Sequence, residues 1–145
     1  ASGAMVMNVD YAPTILDFAN VAVPSGMQGR SLRPIVEGPV PPDWRETVYY
    51  AYYEDSWKLH GKGEEAMAEP YQYFTPHRIG PHRGVRTDRY KLIHYYSEGE
   101  YRELFDLVKD PDELRNVYGT SEYDEVSRSM EEMLQGQRAL YNDLD

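Results

Sequence analysis

Five cations crowd one window of an otherwise acidic chain. Between residues 75 and 97, Arg78, Arg83, Arg86, Arg89 and Lys91 stand against Asp88 alone, and three of the four histidines (His77, His82 and His94) share that window. On either side the balance reverses: residues 1–74 carry five Lys+Arg against ten Asp+Glu, and residues 98–145 carry five against fourteen, for a net charge of −10. A guanidinium fork suits the oxygens of sulfate, phosphate or carboxylate, so the island could be an anion footprint. It could equally be the solvated face of a strand, where cations discourage edge pairing. Arg83 and Arg86 flank Gly84 after Pro81-His82, which reads as a Pro/Gly-bounded loop where glycine lets a ligand approach the backbone. Arg89 and Lys91 alternate with tyrosines and read as structural.

Other chemistry is excluded or weak. No Gly-rich phosphate loop, H-E-x-x-H pair or G-x-S-x-G elbow occurs. His77 and His82 lie five apart with no acidic residue between them, a pattern that suits ordinary histidines better than metal ligands. The chain has no cysteine, which rules out disulfides and thiolate zinc sites. Its acidity argues against general nucleic-acid binding, and no apolar run is long enough to span a membrane.

The elements that must position these residues form an α+β pattern. At 145 residues the chain suits one domain, large enough to bury about 70% of its unfolded surface. Val9, Ala12, Ile15, Leu16 and Ala19 recur at helical spacing, with Asp10 placed to cap and Asn20 and Pro24 to stop the helix. Four prolines and three glycines in residues 25–45 predict loop with room for only short structure. Thr47–Tyr53 reads as a strand, and residues 54–83 show no periodicity. Gly84–Thr87, Arg89–Tyr96 and Tyr101–Leu107 read as an antiparallel meander, with Tyr90, Leu92, His94 and Tyr96 on one face and Lys91, Ile93 and Tyr95 on the other. Asp110-Pro111 reads as a turn, while Asp106 and Glu113 read as acceptors for backbone or arginine donors. Ser121 with Asp124 predicts a capping box opening a helix of about 20 residues, whose stripe of Val126, Met130, Met133, Leu134 and Leu140 or Tyr141 packs on the sheet.

Four stretches in this order carry a family likeness: "NVDYAPTILDFANVAVPSGMQGRSLRPIVEG", "WRETVYYAYYE", "HRGVRTDRYKLIHYY" and "ELFDLVKDPDELRNVYG". Together they resemble the C-terminal part of type I, formylglycine-dependent sulfatases, in the style of arylsulfatases and N-acetylglucosamine-6-sulfatases acting on glycans. The resemblance implies a small antiparallel sheet of about four strands packed by a long C-terminal helix. A short helix and strap would precede it, belonging to an α/β catalytic domain of the alkaline-phosphatase-like superfamily. It divides the chain into residues 6–45, the end of that domain and its strap, and residues 46–145, the C-terminal subdomain. Residues 1–5 read as an expression-vector remnant.

In such enzymes the formylglycine comes from a C/S-x-P-x-R motif beside a bound Ca²⁺. This chain has no cysteine and no serine opening that motif, and the calcium ligands of the family lie upstream of the matching segments. The resemblance therefore implies a sulfuric ester hydrolase only as a longer protein, with this part inactive by itself, free of cofactor and metal, and partnered by its own N-terminal domain. It also implies a role in glycosaminoglycan degradation, a periplasmic or secreted location, and contact with a sulfated carbohydrate. His82, foremost, with Arg83, His77 and Arg86, would reach sugar hydroxyls or sulfate. Two alternatives remain at this level: a free-standing module for acidic glycans, and a fragment of a related phosphoesterase.

Overall fold

The computed structural model describes residues 3–53, 80–96 and 100–143. They form two compact units, Ala1–Val48 with Arg138–Asp145, and Tyr49–Gln137.

In the first unit a 3-10 turn, Asn8–Asp10, runs into helix α1, Tyr11–Phe18. The helix ends as its sequence predicts. Asn20 takes a left-handed φ of 55° and the Val21 N–H donates back to the Leu16 carbonyl at 2.9 Å, which satisfies a carbonyl at the helix end. Asp10 does not cap as expected: its own backbone is helical, and its wholly buried carboxylate takes other donors. It accepts the Met7 N–H at 2.7 Å, the Arg30 N–H at 2.9 Å and both terminal nitrogens of Arg45. Burial pushes this carboxyl up, but the Arg45 guanidinium and the two N–H donors outweigh it and hold the group below the ordinary aspartate value. A buried charge persists only when paired and hydrogen-bonded in this way. Gly29 permits the approach, because a Cβ there would collide with the Val9 carbonyl. Between these anchors lies α2, Arg33–Glu37, the short structure that a Pro/Gly-rich stretch leaves room for. The Arg30 and Arg45 guanidiniums sit over the Trp44 ring at 4.6 and 5.4 Å, and the Trp44 indole N–H donates to the Met5 carbonyl.

The sheet has strand order β1 (Val48–Tyr52), β2 (His82–Arg86), β3 (Tyr90–Tyr95), β4 (Tyr101–Asp106). β3 pairs antiparallel with both of its neighbours, Gly84 opposite Ile93 and Ile93 opposite Glu103. Helix α3, Asp124–Leu140, supplies Met130 and Leu134 to a core with Val85, Leu92, Leu104, Val117 and Tyr123. Val126 and Met133 pack partly buried against it, as the apolar stripe predicts, whereas Leu140 is exposed. Tyr90 and Leu92 face this core as the period of two requires. Ile93 and Phe105 are buried on the other face.

Two expectations are corrected here. β2 begins at His82, two residues before the expected strand start, so His82 and Arg83 lie within the strand with Arg86 rather than in a loop. Sheet pairing with β3 overrides the breaker composition, and the glycine is used internally, since the Tyr50 ring occupies the space a Gly84 side chain would fill. Ser121 opens a 3-10 turn instead of a capping box. The entry to α3 is held by Thr120, whose carbonyl accepts the Tyr123 N–H and whose hydroxyl donates to the Val117 carbonyl.

The outer edge of β4 is closed by one side chain. The Asn116 amide accepts the Leu104 N–H through Oδ1 at 3.0 Å and donates through Nδ2 to the Arg102 carbonyl at 3.0 Å, while the Val117 N–H reaches the Leu104 carbonyl. The amide thus stands in for the peptide group of a further strand.

Candidate functional site

Two cations of the basic island, Arg89 and Lys91, are neutralised within the fold. Arg89 places Nη2 3.1 Å and Nε 3.3 Å from Asp106, whose carboxylate also accepts the Tyr123 hydroxyl at 3.2 Å and the Val108 and Lys109 N–H groups. The Arg89 bonds outweigh burial, and the Asp106 carboxyl lies below its ordinary value. Lys91 pairs with Glu113 at 2.5 Å. These pairs bear out the structural reading of Arg89 and Lys91 and remove much of the anion footprint.

Of the four residues expected to read a ligand, the three that the structure describes are not gathered into one place. His77 lies outside the described residues. Arg86 is exposed at the end of β2, across from Lys91. His82 and Arg83 begin the same strand, and adjacent strand residues point to opposite faces. Arg83 is 6% exposed and stacks its guanidinium over the rings of Tyr96 at 4.2 Å and Tyr53 at 5.9 Å. Its register neighbours are His94 and, beyond it, Arg102, which pairs with Glu100 and Glu131.

His82 sits on the face opposite the core, within a transverse row of rings that crosses the sheet. Its imidazole stacks on Tyr52 (5.7 Å, 28°), tilts against Tyr95 (5.2 Å, 47°) and meets the edge of Tyr50 (6.0 Å, 71°). Tyr95 in turn lies 5.9 Å from Tyr101, which is 51% exposed. Nδ1 of His82 is 2.9 Å from the Gly80 carbonyl. The Tyr95 hydroxyl donates to Glu103 at 3.3 Å; burial and this carboxylate push the phenol up to about 12. Rows of flat, partly exposed rings with polar edges are surfaces on which sugar faces and hydroxyls can rest. The sequence reading misses this row, although the period of two in Tyr50, Tyr52 and Tyr95 carries its signal.

Residues 1–140 match the family model described as N-sulphoglucosamine sulphohydrolase, C-terminal. The chain belongs to this sulfatase family. It is 39% identical over 146 residues to an N-acetylglucosamine-6-O-sulfatase of Bacteroides thetaiotaomicron, an alignment covering 99% of this chain and 23% of the relative. A Delta 4,5-hexuronate-2-O-sulfatase of the same organism is 33% identical, over 81% of this chain and 20% of the relative. Among solved structures, one in complex with D-glucosamine-2-N,6-O-disulfate superposes with a TM-score of 0.81 at 39% identity, covering 99% of this chain and 26% of that one. A phosphonate monoester hydrolase of Agrobacterium radiobacter superposes with a TM-score of 0.66 at 25% identity. The family's sheet-and-helix architecture agrees with the expected α+β fold. This sulfatase chain spans only about a quarter of the length of these relatives.

Proposed function

We propose that this chain is the C-terminal, substrate-reading part of a sulfatase that hydrolyses sulfate esters on glucosamine-containing glycans. The observation that carries this is the match along nearly its whole length to the C-terminal quarter of sulfatases, including one seen with a sulfated glucosamine. The reading fits a role in glycosaminoglycan degradation and a periplasmic or secreted location. The nucleophile must come from elsewhere in the protein, since the chain has no cysteine and no S-x-P-x-R serine. Among the described residues no group of three His, Asp or Glu side chains could hold a metal ion. No step of the hydrolysis is assigned to the described residues.

Recognition falls to the His82 end of the sheet. His82 contacts the sugar, its aromatic neighbours flank it, and Arg83 stiffens the strand from the opposite face. The partner is the rest of the same protein. Tyr11, Ile15 and Phe18 on α1 are 61%, 68% and 46% exposed, apolar area suited to burial against it.

The test is kinetic, in the full-length enzyme. His82→Ala should lower kcat/KM on D-glucosamine-2-N,6-O-disulfate about tenfold, the worth of one lost hydrogen bond. A small aryl sulfate such as 4-nitrophenyl sulfate should be hydrolysed nearly as before. Equal losses on both substrates would remove His82 from sugar recognition.

A further inference from the structure

The imidazole of His82 has a fixed polarity. A backbone carbonyl can only accept, so the 2.9 Å bond between Nδ1 and the Gly80 oxygen requires the hydrogen on Nδ1. In the neutral ring Nε2 is then a bare lone pair, an acceptor. Among the described residues Nε2 has no hydrogen-bond partner, whereas Nδ1 is committed to Gly80. A half-turn of the ring would exchange Nδ1 for a carbon, lose the Gly80 bond and have to pass the rings of Tyr52, Tyr95 and Tyr50 that crowd it.

From this geometry we infer that His82 is a specificity-determining residue that accepts a hydrogen bond from a free sugar hydroxyl through Nε2 and disfavours a sulfate at that position. Sulfate oxygens are acceptors only. Facing a bare Nε2 they find no proton, and two lone pairs meet. A hydroxyl supplies the missing hydrogen. An arginine at this place would have the opposite preference, since a guanidinium only donates. A site built around such a bond discriminates strongly, because the wrong partner leaves a buried or half-buried polar atom unpaired. The inference rests on the proposed recognition role and sharpens it, from contact with a sulfated sugar to reading an unmodified hydroxyl on it.

Two measurements test it, both on the full-length enzyme. Long-range ¹⁵N–¹H correlation spectra of the histidine side chains, assigned by loss of one signal in His82→Gln, report the tautomer directly. A protonated Nδ1 with a bare Nε2 is expected; a proton on Nε2 in the neutral ring overturns the inference whatever the kinetics show. The second measurement compares kcat/KM for D-glucosamine-2-N,6-O-disulfate with its 3-deoxy and 4-deoxy analogues and its N-desulfated form. The wild type should lose about tenfold on one deoxy sugar, and His82→Ala should no longer distinguish that sugar from the parent. If the His82-dependent loss instead follows removal of the N-sulfate, His82 reads the anion and the inference fails while the recognition role stands. If His82→Ala is as active as wild type on every carbohydrate, the recognition role itself fails.

Discussion

Gly84 lies directly beneath the phenol ring of Tyr50, so closely that a β-carbon on Gly84 would overlap the ring. The Tyr50 hydroxyl is buried with no hydrogen-bond partner among the described residues, and burial pushes that phenol above its ordinary value. Shape, not polarity, holds the pair together. Gly84→Ala should therefore destabilise the protein by about 1–3 kcal/mol through overpacking. In a Tyr50→Ala background the same substitution should cost almost nothing, because the obstructing ring is gone. Denaturant unfolding of the four proteins of this cycle gives the coupling directly; additive costs would show that the ring moves aside freely.

The Asp10–Arg45 pair predicts a steep cost for removing one partner alone. Arg45→Met leaves the buried Asp10 carboxylate with its two N–H donors but no counter-charge, and should lose about 3–5 kcal/mol. Asp10→Asn strands the arginine and should be comparably damaging. The double variant Asp10→Leu/Arg45→Met should recover part of the loss, as replacing both charges by apolar groups does elsewhere. Urea midpoints at pH 7 report all three.

The pH dependence follows from two carboxyls held below the ordinary aspartate value, Asp10 and Asp106. As pH falls toward about 4, the unfolded chain takes up these protons first, so acid favours unfolding. Their contribution should be fully present above about pH 5, decline through the range of unfolded aspartate, and vanish once the folded-state groups protonate. Thermal melts from pH 7 to pH 2.5 should show this decline, and Asp106→Asn should flatten part of it. An unchanged slope in that variant would mean that Arg89 does not hold the carboxyl down.

Asn116 gives a prediction about aggregation. Asn116→Leu leaves the Leu104 N–H and the Arg102 carbonyl without their side-chain partner. A loss of about 1–3 kcal/mol is expected for the unsatisfied backbone groups. The newly opened strand edge should also associate, visible as added mass in light scattering. Asn116→Asp keeps the acceptor for Leu104 and should be milder.

Much of the sheet and helix is legible in the sequence because burial imposes its period there. The tyrosines of β1 and β3 and the Met130–Leu134 stripe of α3 can be read one face at a time. Asp10 is harder. An acidic residue before a helix ordinarily caps it, and only the three-dimensional return of Arg30 and Arg45 makes it a buried anchor. His82 and Arg83 show a different limit. Proline and glycine around them suggest a loop, and a loop can aim two neighbours at one ligand; a strand cannot. The basic island misleads because sequence displays its cations together but hides Asp106 and Glu113, which come 17 and 22 residues after the cations they neutralise.

The Asp106 carboxylate ties together the end of β4, the turn at Val108–Lys109 and, through the Tyr123 hydroxyl, the entry to α3. Lys109 closes the circle by donating to that same hydroxyl at 2.9 Å. None of these segments can open without surrendering the others' bonds, so they should breathe as a single cooperative unit. Native-state hydrogen exchange would then give the amides of Val108, Lys109 and Tyr123 one shared opening free energy, rather than a fraying gradient from the turn inward.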